Sequence, residues 1–156
     1  MKLLKIVNEI GGIYSPEELE SKNITYKIVE QNFKRFVVHL TYTNKKNEKY
    51  YYKLLIIKIT NNDRHIVAFG STNENFYDSN MDDLVNLSHS PRILAAIFGL
   101  IKYYVNKFNI EELEYTAEGD VRNKLYDLYL KNFSDMGFKH YIQDDHGIEV
   151  NIWKKD

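Results

Sequence analysis

Few side chains here fall at spacings that do chemistry by themselves. The five histidines, His39, His65, His89, His140 and His146, match no metal-ligand spacing, and neither HExxH nor a paired HxH occurs. No metal site is therefore expected. Cysteine is absent, which excludes disulfides, thiolate ligands and a cysteine nucleophile. Ser88-His89-Ser90 lacks the GxSxG elbow of a nucleophilic serine and reads as cap and loop. Gly11-Gly12 and Gly70 lack the partners of a phosphate-binding or dinucleotide loop. No general base stands out: Glu74, Asp78, Glu112 and Glu114 are each expected to be a solvated carboxylate. Tyr126 follows Arg122 by four residues, on the same side of a helix. The tract Lys45, Lys46, Lys49, Tyr50, Tyr51, Tyr52, Lys53 mixes bases and aromatics as nucleic-acid surfaces do. The preferred reading is a hairpin edge whose lysines discourage strand-to-strand aggregation, so nucleic acid is not an expected partner.

The elements that must position these groups follow from periodicity. Leu3, Leu4, Ile6, Val7 and Ile10 form a helical stripe stopped by Gly11-Gly12, and Ser15-Pro16 opens a short helical turn. The period then becomes two: Ile24 to Ile28, Phe36 to Tyr42, Lys49 to Thr60 and His65 to Phe69 read as an antiparallel meander. Residues 70–90 are irregular, with a short helix expected around Met81 to Leu87. A long helix from Pro91 to about Asn109 is apolar around most of its circumference. Its Ala95, Ala96 and Gly99 allow close packing, so it should be buried on several sides. Ile110 to Ala117 is a strand reached by a parallel crossover. A helix from Asp120 to about Phe133 should turn Val121, Leu125, Leu128 and Phe133 inward. Phe138 to Gln143 and Ile148 to Trp153 form a closing hairpin. The expected fold class is α/β (α+β), as one domain over residues 1–156.

Composition narrows the partners. The formal charge is −1, so no global field advertises nucleic acid or a membrane. It is uneven: residues 1–70 carry 12 Lys/Arg against 7 Asp/Glu (+5), and residues 71–156 carry 9 against 15 (−6). No stretch approaches the roughly 18 apolar residues that span a bilayer, and Met1 to Ile10 reads as a helix rather than a leader, so a cytoplasmic location is expected. Richness in Lys, Asn, Ile and Tyr with only 2 Pro suggests an AT-rich coding genome, such as a bacterial or phage one.

The element order and the second half of the chain resemble the GNAT superfamily of N-acyltransferases. Residues 92–105, RILAAIFGLIKYYV, stand where that family carries a helix opened by Gly-x-Gly, of the type GIGxxLLxxxxxxA. IEELEYTA takes the place of the strand flanking the acetyl group, and RNKLYDLYLKNFSDMGF resembles the ending xxLYxxxGF with several residues inserted. The likeness covers roughly residues 50–153 in topology and 91–138 in sequence. It implies a mixed sheet with an antiparallel N-terminal meander, a central buried helix, a parallel crossover and a C-terminal hairpin. It also implies acetyl-CoA as cofactor, its pyrophosphate at the helix entrance formed by Arg92, Ile93, Leu94 and Ala95, and Tyr126 as general acid toward the thiolate. The Tyr126 hydroxyl would then open into a gap between strands 110–117 and 138–143. Arg92 and Leu94 occupy the two glycine positions, and the Arg122/Tyr126 pair resembles phage-encoded GNAT-like proteins of unassigned function. Two functions follow as expectations. One is a non-catalytic factor of a phage or mobile element that binds a protein partner or its own copy, in a virion or against a host system. The other is an acyl-CoA-dependent N-acyltransferase with an atypical cofactor site.

Overall fold

Alternation of apolar and polar residues sorts the first half of the chain into strands with one buried and one open face. In the computed structural model, which describes residues 12–60, 63–77, 79–80, 90–115 and 128–155, these are β1 (Ile24–Gln31), β2 (Arg35–Thr43), β3 (Lys49–Lys58) and β4 (Arg64–Thr72). Each pairs antiparallel with the next. Phe36, Val38, Leu40, Tyr52, Leu54 and Ile56 point into the core. Arg35, Val37, His39, Thr41 and their cross-strand partners Ile57, Leu55, Lys53 and Tyr51 lie on the opposite face, here called the outer face.

The chain then adds β5 (Ser79–Asn80), helix α1 (Ser90–Phe108), β6 (Glu112–Tyr115), a helical stretch at 128–134, β7 (Phe138–Asp145) and β8 (Ile148–Lys155). One mixed sheet holds all eight strands in the order β1-β2-β3-β4-β6-β8-β7, with β5 attached to β4. β4 and β6 are parallel, so a crossover must join them, and α1 provides it. The C-terminal hairpin returns so that β8, not β7, lies against β6.

α1 is a core element. Every residue from Ile93 to Leu100 is buried, because the sheet, residues 12–19 and the helix at 128–134 enclose it. Gly99 explains how the backbone of residues 12–16 comes so close. A Cβ at position 99 would sit 1.8 Å from the Tyr14 carbonyl oxygen, while the Tyr14 N–H donates to the Ala95 carbonyl at 3.1 Å. α1 ends at Asn109, which takes a left-handed conformation (φ 53°), and the Ile110 N–H closes back on the Val105 carbonyl. The Pro16 turn is held by Glu18, which accepts from the Ser15 N–H at 3.0 Å. That bond keeps the Glu18 pKa below its ordinary value.

Three readings of local pattern need correction. Residues 79–80 add a strand within the stretch read as irregular, while the helix expected at Met81 to Leu87 lies outside the described residues. Leu128 is 39% exposed; Tyr129, Leu130 and Phe133 make the inward stripe. Ring size wins at this position, because Tyr129 stacks flat on Phe98 with centroids 5.3 Å apart. Glu112 and Glu114 are not solvated: Arg64 binds both across the parallel pair, at 3.0 Å and 2.9 Å.

Candidate functional site

The entrance to α1 and the gap expected between strands 110–117 and 138–143 are where the sequence directs attention. Arg92 is half-buried, and Ile93, Leu94 and Ala95 are fully buried. With the helix beginning at Ser90, the N–H groups of Leu94 and Ala95 fall within its hydrogen-bond ladder. The carbonyl of Pro91 accepts from the Tyr129 hydroxyl at 3.1 Å. Phe69 meets Phe98 edge-on at 5.7 Å, and the Tyr129 ring stacks on Phe98 at 5.3 Å. The space left among Val67, Phe69, Phe98, Ile101, Leu113, Tyr115 and Leu130 is about 10 Å³.

Among the described residues β4 and β6 pair from Arg64/Glu112 to Val67/Tyr115. Beyond that point β4 stays paired with β3, and the end of β4 also meets β5. Ser71 and Thr72 pair with Tyr52 and Tyr51 on one side and with Asn80 and Ser79 of β5 on the other. β5 thus occupies the end of the β4 edge, at Ser71 and Thr72.

The expected gap between strands 110–117 and 138–143 is not formed, because β8 lies there and pairs with both neighbours. Strand order is a long-range property, and the hairpin's second strand supplies the antiparallel partner that β6 lacks. Tyr126 and Arg122 lie outside the described residues, as do Asp78 and Ser88-His89. Glu74 is exposed on the loop after β4. Arg64 holds Glu112 and Glu114; burial opposes its charge, but hydrogen bonds to Glu114 and Glu112 prevail and raise its pKa above the ordinary arginine value.

The histidines separate in space. Buried His65 meets the Phe33 carbonyl through Nε2 at 2.7 Å. A carbonyl only accepts, so Nε2 carries a proton, and Nδ1 is buried with no hydrogen-bond partner. Tyr104 donates to the Asn32 and Phe33 carbonyls at 2.7 Å and 2.9 Å, and burial pushes its hydroxyl up to about 12. His140 bonds Asn151 at 3.0 Å and stacks on Trp153. His39 lies on the outer face of the sheet under the ring of Phe76, stacked at 4.1 Å and 8°. No group of three metal-ligating side chains exists among the described residues.

Two concave surfaces escaped the sequence reading. One is an open groove of about 620 Å³ along the outward side of α1, where Gly99, Lys102, Tyr103 and Asn106 form one wall and Ile13 to Pro16 the other. The other, about 170 Å³, lies on the outer face between Thr25, Lys27, His39, Thr41 and Phe76. Gly99 signalled the first; nothing local signalled the second, because Phe76 arrives from a loop. No helix among the described residues is long and apolar enough to cross a membrane. No protein-family model matches the chain, and no curated protein matches it.

Proposed function

We propose that this chain is a GNAT-like protein that has lost acyl transfer and works by binding another protein or a second copy of itself. Its antiparallel meander, parallel crossover and closing hairpin support the GNAT-like part of the reading. The observation that carries the non-catalytic part is the sealed entrance of α1, where Ile93, Leu94 and Ala95 are fully buried. An acyl-CoA enzyme needs an open cleft between splayed strands and free amides at the helix entrance. Among the described residues about 10 Å³ of apolar space remains between β4, β6 and α1, Ile93 to Ala95 are sealed from solvent, and β5 pairs with Ser71 and Thr72 at the end of β4. The open groove along α1 supports binding as the alternative use of the fold. Its tyrosines, Tyr14 and Tyr103, offer large rigid contact area, and Lys102 and Lys107 suit an acidic partner segment. The AT-rich type of composition supports a phage or mobile-element source, and with it a virion component or an inhibitor of a host system.

Thermal melting with and without millimolar acetyl-CoA or free coenzyme A tests this. A ligand at about a hundred times its Kd adds ~3 kcal/mol and raises the midpoint by several degrees. The expected result is no shift with either ligand. A clear shift would restore the N-acyltransferase reading, with Arg92 at the phosphates and Tyr126 as general acid.

A further inference from the structure

Strand alternation divides the Lys/Tyr tract between two faces. Tyr52 turns into the core, whereas Lys49, Tyr51 and Lys53 lie on the outer face. An edge-protecting role does not fit Lys53, because β3 is an interior strand paired there with both β2 and β4. Lysines guard sheet edges by charging an unpaired backbone, and at Lys53 the backbone is paired on both sides.

What Lys53 does join is a basic row. Lys27, His39 and Lys53 are direct cross-strand partners on β1, β2 and β3. Neighbouring strands lie about 4.8 Å apart, so the outer members are separated by roughly 10 Å at the backbone. Like charges in such a row repel. Among the described residues no carboxylate pairs with Lys27 or Lys53; Glu30, which follows on β1 beyond the bulge, is taken by Arg35 at 3.0 Å. Thr25 and Thr41, paired with each other in the adjacent row, add two hydroxyls.

An aromatic wall stands over this row. Phe76 adopts a left-handed backbone (φ 58°), costly for a bulky residue, and lies flat on His39 and edge-on to Tyr51 at 5.6 Å. The Asn73 side chain accepts from the Asn75 and Tyr77 N–H groups and so holds the loop. Tyr77, next in the chain, is 86% exposed. Unbalanced positive charge, paired hydroxyls and aromatic rings around a pocket of about 170 Å³ are the chemistry that recognises a phosphate next to a base.

We propose that the outer face of β1–β3 is a nucleotide site, with Lys27, His39, Lys53 and the two threonines on phosphate and Phe76 beside the base. The nucleotide comes either free or as a unit of a single strand; continuation of the lysines to Lys49 and the β2–β3 turn suits the strand. Burial first, then Lys53 and Lys27, hold the His39 pKa below the ordinary imidazole value. Among the described residues the Phe76 loop also carries Glu74, which is exposed, and Tyr51 meets the edge of Phe76. A bound phosphate opposes the two ammonium charges and favours protonated His39. Binding therefore takes up a proton, and affinity rises as pH falls.

The test is fluorescence anisotropy of a labelled single-stranded oligonucleotide of about ten residues, with adenosine monophosphate as competitor, across salt and pH. Expected is salt-dependent binding, tighter by several-fold at about pH 6 than at about pH 8. Lys27→Gln and Lys53→Gln should each weaken it and lower the salt slope by about one. His39→Gln should remove the pH dependence, with unchanged melting curves as the control for folding. Competition by the mononucleotide identifies a free-nucleotide site, and failure to compete identifies a strand site; both support the proposal. Absence of binding, or binding that the lysine variants leave unchanged, overturns it.

Discussion

At the scale of single residues, the clearest departure from local reading is Arg64. Glu112 and Glu114 are two positions apart on one strand, which is all the sequence says of them. The parallel pairing of β4 with β6 brings Arg64 opposite, and its guanidinium divides between the two carboxylates with all three side chains mostly buried. Removing the cation leaves two like charges side by side in a poorly solvated place. Arg64→Met is expected to destabilise the fold by about 2–3 kcal/mol, in the range for breaking charged hydrogen bonds. The triple variant Arg64→Met, Glu112→Gln, Glu114→Gln should recover much of that loss in urea denaturation. A triple variant no more stable than the single one would mean that the ion pairs do not hold this junction.

Among elements, α1 was the most readable. Its continuous apolar circumference predicts burial on several sides, and the structure supplies the sheet, residues 12–19 and the helix at 128–134 around it. Glycine in a helix interior costs about 1 kcal/mol relative to alanine, so Gly99→Ala would stabilise an isolated helix. Here the added Cβ meets backbone, the Tyr14 carbonyl at 1.8 Å, and no rotamer change relieves it. The clash should outweigh the propensity gain, with a net loss of about 1–3 kcal/mol and a midpoint lower by roughly 2–4 °C per kcal/mol. A midpoint equal to or above wild type would show that residues 12–16 do not pack as described. The hairpin β7–β8 was readable as an element too, but not its placement, since a tight turn is compatible with either strand lying inward.

For the molecule as a whole, one sheet with α1 against its inner face makes the interior strands and the helix the last to open. Native-state hydrogen exchange should be slowest in β3 and in α1 from Ile93 to Val105. It should be faster along β1 and β7, the two edges, where Tyr26, Val29, Tyr141 and Ile142 are exposed. Equal protection of β7 and β3 would instead indicate a partner strand on β7 in solution. Sequence by itself determined the strands of the meander and of the closing hairpin, the long helix and the absence of cysteine chemistry, because period and composition are local properties of the chain. Tertiary structure alone decided that β8 lies beside β6, that β5 takes the end of the β4 edge, and that Phe76 covers His39. It also decided that Lys27, His39 and Lys53 form one row. Each of these joins residues far apart in sequence, and such pairings are selected by the shared core and by strands needing partners, neither of which leaves a local periodicity to read.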